Sequence, residues 1–414
     1  MSKPIAFTPR QVSRDPSQPV ERRILFYLPG YDPDAERRYR TLFVREIRRY
    51  ARGFGIALPT ISRPITSDDG RTQHWTIQSQ DSRASTRTVY DVLLWSDLAR
   101  RDMKRSYILG ACLNAWALLH AAASGTLVRL YRASWKCANV IVYPFVMSLL
   151  LLAAFFLAGL LGHGLLGIGL GLPTWIALSA GCAVGFYALK KTAPRLDRAF
   201  LWQLMHDWIF HWQHAGGRRR DYEARLDEFA DHVLARIRQA ECDEILLVGH
   251  STGGLTAVEL AARLLAKDPG LGREGPVFSL LTLGSSLPIV ALQPSAHATR
   301  AAVEQLMTSQ RLVWVDYQAP QDWMNFPGFN PGQDLPLDLP VADTVNPIIR
   351  SARFSEIIDA QTYRQIRMRP FRMHFQFLMA NDHAGVFDIF ALSLGSRYLR
   401  ERVLGEVSTP LGSG

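Results

Sequence analysis

The chain has 414 residues, 48% of them hydrophobic, and a formal charge of +10 carried almost wholly by arginine. Its four cysteines show no metal-ligand spacing and no paired framework, so they read as free thiols in a reducing compartment; no metal and no cofactor is implied. Basic charge of this kind suits an anionic membrane surface or nucleic acid, and because no nucleic-acid motif with interleaved aromatics is present, the lipid bilayer is the expected partner.

Residues 1–20 are polar and proline-containing, with no apolar core of a cleaved secretory signal, and are expected to form a flexible tail. An apolar strand at 24–28 runs into Pro29-Gly30-Tyr31-Asp32-Pro33, and 36–52 alternates charged and apolar residues as a surface helix does. Further strands are expected at 75–78 and 89–95, where β-branched and aromatic residues gather, completing one edge of a sheet.

Residues 141–161 contain no charge, and at roughly 1.5 Å per residue a helix of that length just crosses a hydrocarbon core of roughly 30 Å. A second apolar segment, 165–189, is broken by Gly167, Gly169, Gly171 and Pro173 and makes a marginal span. Together they predict a two-helix transmembrane hairpin over 137–190. Arg129, Arg132 and Lys136 precede it, Lys190, Lys191, Arg195 and Arg198 follow it, and the turn at Gly162-His163-Gly164 has no lysine or arginine. The positive-inside rule then puts both flanks in the cytoplasm, so the hairpin anchors one folded domain, made of 21–136 and 191–414, to the cytoplasmic membrane. Trp202, Trp208 and Trp212 fit either the membrane interface or an ordinary core.

An amphipathic helix over 221–240 leads into the strand Ile245-Leu246-Leu247-Val248, which stops at Gly249-His250-Ser251-Thr252-Gly253-Gly254 and continues as an apolar-periodic helix. A serine flanked by glycines two residues before and after, between a buried strand and a helix, is a nucleophile elbow; the glycines are needed where neighbouring backbones crowd the turn. Another buried strand follows at 277–283; Ser285 and Ser286 at its end lack the elbow spacing and read as strand-end residues.

The elbow, with the 23–33 segment before it, resembles the α/β-hydrolase superfamily and more loosely its lipase and esterase members. The resemblance implies an α/β fold with a mostly parallel sheet flanked by helices. It also implies a chain order of oxyanion loop, serine, acid, histidine, and hydrolysis of an ester through an acyl-enzyme. Ser251 would be the nucleophile. The acid is expected in the loop after the 311–317 strand, at Asp322, with Asp316 inside that strand as the alternative; Asp334, Asp338 and Asp343 sit in a proline-rich excursion. His374 and His383 are the histidines beyond the acid. The resemblance favours His374, which has an aromatic residue three positions later, before a final helix; His383 stays open as the alternative. His250 should pack under the elbow. The Thr252 and Tyr31 amides would form the oxyanion hole, although Pro29 stands where related enzymes often carry histidine. The expected substrate is a lipophilic ester. A thioesterase or acyltransferase would use the same residues, and a non-catalytic membrane scaffold is the reading from another class. Nothing in the sequence sets an oligomeric state.

Overall fold

The computed structural model describes residues 18–198, 200–340, 343–404 and 411; most of the tail expected at 1–20 lies outside them. Strand β1 (Arg22–Leu28) is apolar on both faces and so must be covered on both. Ile24, Phe26 and Leu28 enter one core, whereas Leu25 and Tyr27 enter another. The same alternation recurs in β6 (Glu244–His250), where Ile245 and Leu247 face the first core and Leu246 and Val248 the second. The fold is therefore α/β: a mixed sheet between two helical layers.

The sheet order is β2-β4-β5-β1-β6-β7-β8-β9, with β3 paired to β4. From β5 (Ser85–Leu93) through β1, β6, β7 (Val277–Leu283) and β8 (Val313–Gln318) to β9 (Ile348–Ser351) all pairings are parallel. The edge formed by β2 (Thr60–Ile61), β3 (Ile65–Thr66) and β4 (Thr72–Gln80) is antiparallel. The strands expected at 75–78 and 89–95 are observed as β4 and β5 on this side of the sheet, but β2 and β3 lie outside β4, and β5 is an interior strand between β4 and β1. Helix α1 (Ala35–Phe54) and the C-terminal residues 354–404 cover the second core.

Between β5 and β6 the described residues form helices and the short connections between them, and this helical region starts well before the expected hairpin. It comprises α2 (Ser96–Asp102), α3 (Tyr107–Ala123), α4 (Thr126–Ala133), α5 (Trp135–Gly162), α6 (Thr174–Arg198), α7 (Leu201–Ala215) and α8 (Arg220–Gln239). The first turns of α5 belong to the folded domain, because Cys137, Ala138 and Ile141 join the first core. Beyond them α5 emerges, leaving Leu150, Phe156, Leu157 and Leu160 more than half exposed.

Among the described residues one continuous helix, Trp135–Leu165, is long and apolar enough to cross a membrane, with little of it buried in the protein. Helix α6 packs antiparallel along α5, closest where Gly159 and Gly162 meet Gly181. Its apolar part, Thr174–Ala188, is too short for a full crossing, since Gly169, Gly171 and Pro173 take residues 169–173 out of the helix. Of the two readings open for Trp202, Trp208 and Trp212, the ordinary core is the one observed. They are 8%, 2% and 6% exposed and pack inside the domain through α7.

Candidate active site

The strand β6 brings the chain to the C-terminal edge of the sheet, and α9 (Thr252–Lys267) carries it away. Between them Ser251 turns the backbone in one residue at φ 60°, ψ −126°. That region costs a non-glycine residue about 1–3 kcal/mol and persists only where the surroundings enforce it. Three hydrogen bonds enforce it here: Ser251 N–H donates to the Leu283 carbonyl at 3.0 Å, and its own carbonyl accepts from Gly254 at 2.9 Å and Ser286 at 3.1 Å. The crowding explains the flanking glycines. A Cβ on Gly249 would lie 2.1 Å from the Gly253 carbonyl oxygen, and one on Gly253 would lie 2.0 Å from that of Leu28.

His374 ends a short helix, Pro370–His374. Its Nδ1 is 2.6 Å from Asp322 Oδ2, with both side chains buried. Asp322 sits just past β8, where its other oxygen accepts the Met324 N–H at 2.9 Å. The ionised carboxylate can only accept, so His374 carries its proton on Nδ1 and presents Nε2 as a base. Nε2 is buried and has no hydrogen-bond partner among the described residues. It is not bonded to the Ser251 hydroxyl; the two residues instead line one cavity, together with Gly30, Tyr31, Gln203, Asp207, Thr252, Met324 and Phe371. Contacts of this kind often tighten only when substrate is bound.

The loop after β1 reaches the same place. Gly30 packs on Ser251, and a Cβ there would sit 3.1 Å from the serine Cβ. Tyr31 is locked: its ring packs against Trp95 and Phe210, which also touch each other, its hydroxyl donates to Asp102 at 3.3 Å, and its carbonyl accepts from Gln203 at 2.7 Å. Burial, and then the Asp102 charge, raise the Tyr31 phenol well above its ordinary range, so it remains a donor. Asp102 is itself clamped by Arg219 at 2.6 Å. Among the described residues neither the Tyr31 nor the Thr252 backbone N–H has an acceptor. Thr252 opens α9, where the first N–H groups have no intrahelical partner.

Of the sequence-predicted residues, Ser251, His374, Asp322, Tyr31 and Thr252 converge. The alternatives do not. His383 is more than half exposed and pairs with Asp359 at 2.8 Å. Asp316 is buried in β8, where it accepts from Thr282 and Gln318, and it meets no histidine. His250 is buried behind Ser251; its Nε2 donates to the His374 carbonyl at 3.2 Å, and burial, then His374, hold its pKa well below the ordinary value. It is a prop for His374, in neutral form.

Sequence reasoning missed a second polar group on α7. Asp207 accepts from the Thr252 hydroxyl at 3.0 Å, and His211 Nε2 lies 2.9 Å from Ser286 Oγ. The His211 Nδ1 sits 2.7 Å from the Asp207 carbonyl oxygen, which can only accept, so Nδ1 carries the proton and Ser286 donates to Nε2. Burial raises the Asp207 pKa, opposed by His211 and the Thr252 hydrogen bond. Their i, i+4 spacing on one helix was the available signal; the surrounding tryptophans masked it. Compared with protein-family models, curated proteins and solved structures, the chain matches none.

Proposed function

We propose that this chain is a membrane-anchored serine hydrolase with an α/β-hydrolase type of centre, cleaving an ester through an acyl-enzyme. The observation that carries the reading is the strained Ser251 facing the same cavity as the unpartnered Nε2 of an Asp322-bound His374. Serine alone is a poor nucleophile at neutral pH. His374 takes its proton during attack on the ester carbonyl and returns it to the leaving alcohol, while Asp322 holds the tautomer and offsets the imidazolium charge. The developing oxyanion meets the free N–H groups of Thr252 and Tyr31, each such donor being worth roughly 10²–10³ in rate. Asp207 anchors Thr252 from behind.

The anchor is α5, with α6 beside it. Basic residues on both flanks of the pair favour a cytoplasmic position for the folded domain. A lipophilic ester suits a site tethered at the bilayer, by association. Catalysis by a thioesterase or acyltransferase would use the same groups and change only the leaving group or acceptor.

Membranes from cells expressing the chain, washed in carbonate, are expected to hydrolyse p-nitrophenyl butyrate, whereas membranes with equal Ser251→Ala protein give background rates. Activity released into the wash would contradict the anchor. Absence of serine-dependent activity from both fractions would contradict the enzyme.

A further inference from the structure

We infer that α3 is a second membrane contact, lying with its outer face in the surface of an anionic bilayer beside the α5 span. The inference rests on the membrane reading of α5. Helix α3 has no Asp, Glu, Lys or Arg over its 17 residues. Its inner stripe, Gly110, Asn114, Ala117 and Ala121, packs on α7 and α5. The opposite stripe, at i, i+4, i+8 and i+11, is Ile108, Cys112, Trp116 and Leu119. Ile108 is 79% exposed and Trp116 and Leu119 are each 62% exposed; Tyr107 beside them is 55% exposed. A soluble helix turns charge to water on its outer side, whereas this one turns apolar side chains there as far as His120 in its last turn, which is exposed. Contiguous apolar surface of this size marks a membrane or protein contact.

Charge decides between those occupants. No Asp or Glu occurs between Asp102 and Asp197, whereas Lys104, Arg105, Arg129, Arg132, Lys136 and Lys191 all fall inside that interval. Lys104 lies just before α3, and Arg132 on α4 just after it; both are exposed. Apolar faces rimmed by cations fit anionic headgroups above acyl chains. Two copies of this chain meeting through the same face would oppose like charges with no acid to offset them. Trp135, at the start of the α5 helix on which α3 packs, is also exposed. Because α3 packs on α7, and α7 carries Gln203 and Asp207 into the cavity at Ser251, docking α3 on lipid would hold that cavity in a fixed relation to the bilayer surface.

The test uses the full chain reconstituted in vesicles of phosphatidylcholine and phosphatidylglycerol, with an environment-sensitive fluorophore on one cysteine at a time. Cys112 is exposed, Cys137 and Cys242 are buried, and Cys182 is replaced by serine. Two further probes, Leu150→Cys in α5 and Ser82→Cys in the turn between β4 and β5, are made with Cys112→Ser. Brominated acyl chains are expected to quench the labels at Cys112 and Leu150 by about half and to leave the Ser82→Cys label bright. Omitting phosphatidylglycerol is expected to weaken quenching at Cys112 and not at Leu150→Cys. Quenching at Leu150→Cys without quenching at Cys112 would overturn the inference and leave the span intact. No quenching at either would remove the membrane reading itself. If shielding of Cys112 from a water-soluble quencher followed protein density and not lipid bromine, a second copy would own the face and the inference would fall.

Discussion

Replacing His374 with alanine in folded, detergent-purified protein is expected to lower kcat/KM on a short ester by roughly 10⁴- to 10⁶-fold, about as much as Ser251→Ala. Residues that act as one unit do not contribute separately, so the double variant should be no worse than either single one. His383→Ala is the control. Its side chain is solvent-exposed and pairs with Asp359 at the surface, so turnover should change by less than about twofold, in line with the small energies of surface ion pairs. Steady-state kinetics on the four variants checks the ranking, and a large loss in His383→Ala with a small one in His374→Ala would reassign the base.

Gly253→Ala should be the most damaging single-methyl change in the elbow. The added carbon would lie 2.0 Å from the Leu28 carbonyl oxygen and 2.7 Å from that of Pro29, both backbone atoms of the strand and loop beside the serine. No side chain can rotate away, so β1 and α9 must separate. The cost should exceed the usual overpacking range of about 1–3 kcal/mol. Gly53→Ala makes the contrast: it lies within α1 with nothing within 4 Å of its Cβ position, so it should stabilise by up to about 1 kcal/mol. Thermal melts in detergent measure both, and similar melting temperatures for the two would contradict the packed elbow.

The elbow was legible in the sequence because its constraints are local. A strand buried on both faces must be a near-continuous apolar run, and the crowded turn after it admits only glycine on either side of the serine. Asp322 and His374 could be ranked from their positions relative to strands, yet what brings them together is a contact across 52 residues that no periodicity encodes. The pair formed by Asp207 and His211 was hidden for a related reason. Their neighbours Trp208 and Trp212 look alike in sequence whether they face lipid or a core, and only the packing of α7 against α3 and α5 places them inside. The outline of the helix long and apolar enough to cross a membrane was legible from its lack of charge, but its start was not. Cys137 and Ile141 are apolar because they pack against the protein, while Leu150 and Phe156 are apolar without protein cover, and hydropathy does not separate the two causes.

Catalysis by Ser251 is tested most directly by labelling with a fluorophosphonate probe. Such a reagent forms a covalent bond only with a serine hydroxyl activated by a base beside an oxyanion site, and it needs no knowledge of the natural ester. Membranes carrying the wild-type chain are expected to show a labelled band at the mass of the chain, 46.5 kDa. Ser251→Ala should show none, and His374→Ala should label far more slowly. A folded wild-type chain that resists the probe, or a Ser251→Ala chain that labels as fast as wild type, would contradict the assignment of Ser251 as nucleophile.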